Sequence, residues 1–406
     1  MASAEQMARE FDLRHLSADF YADPYPYYTA LQQHQPVKRL PDGGYLLTRY
    51  RDIEIVYKNP KLFSSDKKLE FKPKYGESPL YEHHTTSLVF NDPPLHTRVR
   101  KLINGALTPR AIGEMQPGLV TLVDNLLAAM AHKNEVDLIE DFAAAIPIEI
   151  IGNLLNVPHE QRGPLRRWSL AILGALEPVV SPEAAARGNV AVLEFTTCLE
   201  ALIEDRRANP GDPERDVLTR LIQGEDQGER LSARELIHNC IFLLNAGHET
   251  TTNLIGNGLV TLGHHPQQKA ALLSQPDLIK TAVEEVLRLE SSNQLGNRIT
   301  TESVSIGGHE IAPRTSITLC IGAANRDPEQ FPDSDRFDIT RSPNRHLAFG
   351  SGIHQCAGLN LARLEGSVAI LKFLQRFPGY SLPAPPTRGG RARFRGFLRI
   401  PCRVNS

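Results

Sequence analysis

The feature that most constrains this chain is a ten-residue run near its C-terminus, Phe349-Gly350-Ser351-Gly352-Ile353-His354-Gln355-Cys356-Ala357-Gly358. Two glycines precede a lone cysteine, and a helical pattern from Leu359 to Leu371 follows it. Glycines let a backbone turn tightly and aim its N–H groups inward, where they stabilise a sulfur anion without neutralising it. The helix start adds the positive end of a macrodipole at the same atom. A free thiol ionises near about 8.5, so both influences favour the thiolate form that binds metal. Cys356 therefore reads as a metal thiolate on a tight loop. The other cysteines, Cys198, Cys240, Cys320 and Cys402, show no C-x-x-C spacing, which argues against a zinc site or a disulfide framework.

A second segment, Ser232 to Thr261, has the pattern of one long helix, about 45 Å at 1.5 Å per residue, long enough to cross a whole domain. Midway it carries Ala246-Gly247-His248-Glu249-Thr250-Thr251-Thr252. An acid and three β-branched alcohols are poor helix formers and costly to bury unpaired, an odd choice for packing alone.

The run around Cys356 matches, position for position, the F-x-x-G-x-x-x-C-x-G haem signature of the cytochrome P450 family, and the chain is identified on these residues as resembling that family. The resemblance implies haem b, with Cys356 as the iron's proximal ligand and Phe349 beside it. It also implies a mainly α fold with small β-sheets, a triangular prism holding the haem between long distal and proximal helices. The long helix matches the family's A-G-x-[DE]-T. By that resemblance Glu249 and Thr250 form an acid–alcohol pair that relays protons into the distal pocket, Gly247 leaves room there for oxygen, and Ala246 is a pocket residue. His248 points about 100° away and reads as structural.

Further matches lie in the family's order along the chain. Glu285 and Arg288 at i, i+3 match E-x-x-R, and Arg336 resembles the arginine that completes a buried Glu-Arg-Arg network. His96 and Arg100, at i, i+4, together with Arg298 and His354, are expected to bind the two haem propionates. One departure stands out. Where the family commonly reads Pro-Val after E-x-x-R, this chain has Ser292-Asn293, so Asn293 is a candidate for bonding an oxygenated substrate.

Length and composition fit one domain spanning residues 1–406, with no linker or repeat and 41% hydrophobic residues. A formal charge of −2 gives no global attraction for nucleic acid. Residues 1–10 have no apolar signal core and no apolar stretch of membrane-spanning length follows, so a soluble, cytoplasmic monomer away from membranes is expected.

Substrate identity is less legible. Trp168 through Val180 is mostly apolar and suits a small hydrophobic ligand such as a terpenoid, fatty acid or secondary metabolite, while Lys67, Lys68, Lys72 and Lys74 offer cations to a carboxylate. No flavin or dinucleotide-binding motif follows Cys356, so electrons are expected from a ferredoxin with its reductase, or a flavodoxin-type donor. Arg98, Lys101 and the tail Arg388 to Arg393 are candidate docking cations. The expected activity is insertion of one oxygen atom of O2 into a C–H bond. A peroxide-driven peroxygenase and a non-catalytic haem sensor or carrier are the alternatives; neither explains an intact Glu249-Thr250 pair.

Overall fold

The computed structural model describes residues 3–213, 216–226 and 229–404. Near the N-terminus, Pro41-Asp42-Gly43-Gly44 turns the chain as its composition predicts: Asp42 Oδ1 accepts the Gly44 N–H at 3.0 Å, and Gly43 takes φ +87°. Strands β1 (Val37–Arg39) and β2 (Tyr45–Leu47) flank it in antiparallel register, Val37 opposite Leu47. With β3 (Phe63–Ser64), β4 (Leu295–Thr300) and β5 (Ser316–Cys320) they form a five-stranded sheet in the order β1-β2-β5-β4-β3. Only β2 and β5 run parallel, Tyr45 opposite Ile317; Arg298 on β4 lies opposite the same Ile317. The sheet thereby delivers Arg298 to the interior.

Helices make up most of the rest. Those that shape the site are α1 (Lys68–Tyr75), α2 (Pro79–Thr86), α3 (Leu95–Ala106), α4 (Pro109–Met130), α5 (Ala145–Leu154), α6 (Leu165–Gly174), α7 (Pro182–Ala208), α8 (Ala233–His264), α9 (Ile279–Leu289) and α10 (Leu359–Arg376). The mainly α architecture with small sheets agrees with expectation.

Helix α8 organises the molecule. Ser232 caps its start by accepting the Glu235 N–H, while the Glu235 carboxylate accepts the Ser232 N–H, a reciprocal capping box. Its 32 residues extend about 48 Å. The first half, through Leu236, Cys240, Ile241 and Leu244, packs into one apolar cluster with α2, α5, α6 and α7. The second half, through Leu254, Ile255, Leu259 and Leu262, joins another built on α4, α9 and α10. The polar residues 245–253 fall at the junction between these two cores. Only part of this stretch is paired within the helix, Thr250 Oγ1 donating to Ala246 O at 2.7 Å and Thr252 Oγ1 to His248 O at 3.0 Å, while the Asn245 side chain and the His248 ring are left without partners. Among the described residues no helix is long and apolar enough to cross a membrane.

Candidate active site

The loop that carries Cys356 is shaped by its glycines. Gly350 and Gly352 take φ +65° and +68°, the left-handed region that side chains disfavour. A Cβ on Gly352 would stand 2.2 Å from the main-chain oxygen of Tyr57, so this position admits no side chain. The Cys356 N–H donates back to Phe349 O at 2.9 Å, closing the loop, and Gly358 caps α10 just beyond. Burial pushes the Cys356 thiol up, with the Gly358 N–H and the cations Arg100 and Arg363 pulling the other way. Burial outweighs them, against the expectation from the loop glycines and the helix start, so a bound metal cation would be needed to hold Cys356 as thiolate.

Behind this loop lie two ion networks. Arg288 grips Glu285 bidentately, Nε to Oε2 and Nη2 to Oε1 both at 2.8 Å, with each side chain fully buried. Its remaining N–H groups donate to the carbonyls of Asn325, Ser334 and Arg336. The second arginine of the network is Arg341, whose Nε donates to Glu285 Oε1 at 3.2 Å; Asn344 adds a bond to Oε2 at 3.1 Å. This corrects the expectation for Arg336. That side chain is 64% exposed and only its carbonyl takes part, because the guanidinium turns outward toward Asp338. The sequence offered two arginines five positions apart in one loop, and only packing distinguishes them.

Sequence reasoning missed the second network. Arg363 on α10 clasps Glu284 through Nε and Nη2 at 2.7 and 2.8 Å, and His346 Nε2 lies 3.2 Å from the same carboxylate. Burial opposes ionisation of Glu284, but these partners hold its carboxyl down at about 2. The guanidinium of Arg363 also lies 4.9 Å from the centre of the Phe349 ring. Glu284 and Glu285, adjacent on α9, thus anchor the two ends of the cysteine segment. Glu365, also on α10, is buried on the wall of the cavity above Cys356 with one oxygen unpartnered, and burial pushes it up to about 8.

Above Cys356 lies a cavity of about 560 Å³. Its lining includes Cys356, His354, Phe349, Arg100 and Arg298 on one side, and Ala246, Gly247, Thr250, Leu243 and Leu173 on the other. Gly247 lines the cavity and also makes room for a neighbour: a Cβ there would stand 2.1 Å from Ile151 Cδ1. The glycine permits close approach of α5 to α8, and Ile151 fills the space that a side chain would take. Thr250 lines the cavity, but Glu249 does not. Its carboxylate bonds Arg391 Nη1 at 2.6 and 2.8 Å on another face of α8, beside a small void lined by Arg166, His248 and Gly389. Burial pushes Glu249 up to about 7, with Arg391 acting against it. His248 is buried and neutral off the cavity, but both its ring nitrogens lack a partner, so it is not the satisfied structural histidine expected.

The cations proposed for docking are mostly used internally. Arg98 pairs with Glu235 at 2.5 Å, Arg388 with Glu290, and Arg391 with Glu249, while Arg393 donates to the carbonyls of Leu176 and Leu295. The cations of the tail are thus engaged by partners within the molecule. Likewise Lys67 is buried against Glu70 and Asn297, Lys68 pairs with Asp66, and Lys72 with Glu77.

The comparisons with known proteins agree with this geometry. The family model for cytochrome P450 matches residues 179–386. Cytochrome P450 107B1 of Saccharopolyspora erythraea is 39% identical over 92% of this chain and 93% of its own length. The chain is a cytochrome P450. The 6-deoxyerythronolide B hydroxylase of the same organism is 38% identical, covering 90% of this P450 and 91% of the relative. Among solved structures, P450BioI in complex with acyl carrier protein ligated to hexadec-9Z-enoic acid superposes with a TM-score of 0.90 and 35% identity, over 96% of this chain and all of the other. Membership makes the protein a haem-thiolate monooxygenase.

The residues of this P450 fit that cofactor. Arg298 is largely withdrawn from water and Arg100 about half so, yet neither has a carboxylate within ion-pair distance among the described residues. Buried cations require anions. Between them His96 and His354 lie ring to ring at 4.1 Å, and His96 Nδ1 and Nε2 and His354 Nε2 are buried without partners. Two propionates would satisfy this set.

Proposed function

We propose that this cytochrome P450 hydroxylates a C–H bond of a lipophilic small molecule, using electrons from a separate ferredoxin or flavodoxin-type donor. The observation that carries the reading is the Thr250 hydroxyl at the cavity wall, backed by Glu249 one residue away. Thr250 donates its proton to Ala246 O, so the hydroxyl offers its lone pairs to the cavity as an acceptor. Cys356 would hold the haem, with His96, Arg100, Arg298 and His354 taking its propionates, and the bound group would supply oxygen activation.

The chain's own residues do the rest. Glu249, with an ionisation near 7, is matched to carrying protons at neutral pH. In the state seen here Arg391 holds it away from the cavity, so proton delivery requires the pair to open. Thr250 then receives and orders the incoming donor. Apolar residues such as Leu243, Leu173 and Phe90 exclude bulk water and bind the substrate frame. Asn293 lines the same cavity with its Oδ1 buried and unpartnered, where Ser292-Asn293 replaces the usual Pro-Val; we assign it a hydrogen bond to substrate. The relatives' names support the reading at the level of class, one being a hydroxylase and one a complex with a fatty acyl carrier protein. The whole chain acts as one haem domain, a cytoplasmic monomer in this account.

The test is a Thr250→Ala variant assayed with a redox partner and a turned-over substrate. Cofactor oxidation that continues while product falls and hydrogen peroxide is released supports the monooxygenase relay. Unchanged product yield contradicts it.

A further inference from the structure

Two residues that no family motif includes, Asn245 and His84, lie on the cavity wall with polar atoms that bond nothing. Asn245 on α8 is 2% exposed, and both its Oδ1 and its Nδ2 are unpartnered. His84 on α2 is 1% exposed, with Nε2 unpartnered; burial and the nearby cations Lys74 and Arg393 keep its ring neutral. Ser292 Oγ and Asn293 Oδ1, on the segment before β4, are unpartnered on the same wall. Each such group costs free energy unless something polar meets it. The His84 ring also packs against Phe71, Tyr75 and Phe90, but those contacts need only a ring and leave its nitrogen without a role.

The apolar surface of the cavity binds a carbon frame, and the orphaned atoms fix where oxygen atoms on that frame must fall. A plain alkyl chain with one terminal carboxylate has nothing to offer groups on three separate segments. Of the two lysines on the cavity wall, Lys67 is committed to Glu70 and Asn297, and Lys74 donates to the Glu177 carbonyl.

We propose that Asn245 and His84 are specificity determinants for a substrate whose carbon frame itself carries several oxygen functions, of the macrolactone or steroid kind, rather than a bare alkyl chain. Asn245 presents both a donor and an acceptor, and the neutral His84 imidazole presents one polar nitrogen. A ligand that reaches these atoms is bound tightly only if it offers them matching hydrogen bonds. The inference rests on the monooxygenase reading above and narrows it to a substrate class.

The experiment uses the haem-loaded protein with confirmed thiolate ligation, titrated with 6-deoxyerythronolide B, testosterone, 5α-androstane and myristic acid, and followed by the spin-state change. At least one of the two oxygenated ligands is expected to bind about tenfold or more tightly than androstane and myristic acid, and Asn245→Leu and His84→Phe each to lose about tenfold for that ligand, the worth of one hydrogen bond to a buried group. Wild-type affinities that favour androstane or myristic acid, or variants within twofold of wild type for the oxygenated ligand, overturn the proposal. A second readout needs no ligand. Because the unpartnered groups cost stability, both variants are expected to raise the Tm of the substrate-free protein by about 2 °C; a fall in both shows that the groups are held for the fold and also overturns it. Failure to obtain thiolate-ligated haem at all would defeat the monooxygenase reading instead.

Discussion

Arg391 holds Glu249 by two hydrogen bonds, at 2.6 and 2.8 Å, on a face of the central helix that does not line the substrate cavity. The guanidinium comes from the C-terminal segment, just after Gly389 and Gly390, and also donates to Leu170 O at 3.0 Å. Glu249, the acid of the proposed relay, is therefore held against a surface segment, next to an open groove lined by Arg166, Arg167 and Arg391. Two partners with opposite effects set its ionisation: burial raises it and Arg391 lowers it, leaving it near 7.

A pH dependence follows from that balance. Below about 7 the Glu249 carboxyl carries a proton to give, and above it the carboxylate is locked to Arg391. Coupled product formation is expected to fall as pH rises through 7 to 8. Arg391→Gln removes the lowering influence, so this limb moves to higher pH by about 1 unit or more. Glu249→Gln is expected to reduce product formation about 100-fold and to abolish the limb. Steady-state rates from pH 6 to 9 with one electron donor check all three, and a limb that stays in place in Arg391→Gln would exclude control by this pair.

Arg341, rather than Arg336, completes the network around Glu285, and stability measurements separate them. Removing Arg341 leaves a fully buried carboxylate short of one cation and is expected to cost about 3–5 kcal/mol, as is Arg288→Ala. Arg336→Ala touches an exposed guanidinium and is expected to stay within about 0.5 kcal/mol. Denaturant unfolding of the three variants decides the assignment.

Much of the fold and site was legible in the sequence because short motifs there encode local backbone geometry. The hairpin at Pro41 to Gly44, the long helix with its Ser232 cap, and the cysteine loop each depend on residues a few positions apart. Legibility failed wherever a role is filled by whichever side chain tertiary packing delivers. Arg341 and Arg336 share a loop and a charge, so spacing could not choose between them. Arg391 lies 142 positions from Glu249, and Arg363 79 from Glu284; no local pattern announces such pairs. Asn245 and His84 were invisible for another reason. A polar residue in a sequence says nothing about whether its partner is missing, and only the structure shows that nothing meets them.

Acid should loosen the cysteine segment through Glu284. Its pKa in the folded protein, about 2, lies below the ordinary 4.5, so its contribution is fully present above about 4.5 and is lost as pH falls toward 2. Glu284→Gln is expected to lower stability at pH 7 by about 2 kcal/mol and to make the acid transition shallower. Thermal unfolding between pH 3 and 7 checks it, with equal pH slopes in variant and wild type counting against the network.

Gly352 should tolerate nothing larger. Alanine there combines a φ of +68° with a Cβ 2.2 Å from Tyr57 O, and main chain cannot move aside as a side-chain tip can. Strain of about 1–3 kcal/mol in the loop is expected, displacing Cys356. The variant should fold with normal far-ultraviolet circular dichroism yet emerge from gel filtration with less than half the wild-type haem. Full haem retention would show that the loop adapts.

The central claim is that Cys356 gives its sulfur to haem iron, and the difference spectrum of the reduced protein with carbon monoxide tests it most directly. The account predicts the red-shifted Soret band that defines thiolate-ligated haem, and its replacement in Cys356→His by the shorter-wavelength band of nitrogen-ligated haem. A shorter-wavelength band in freshly prepared wild-type protein, or a red-shifted band that survives in Cys356→His, would contradict it.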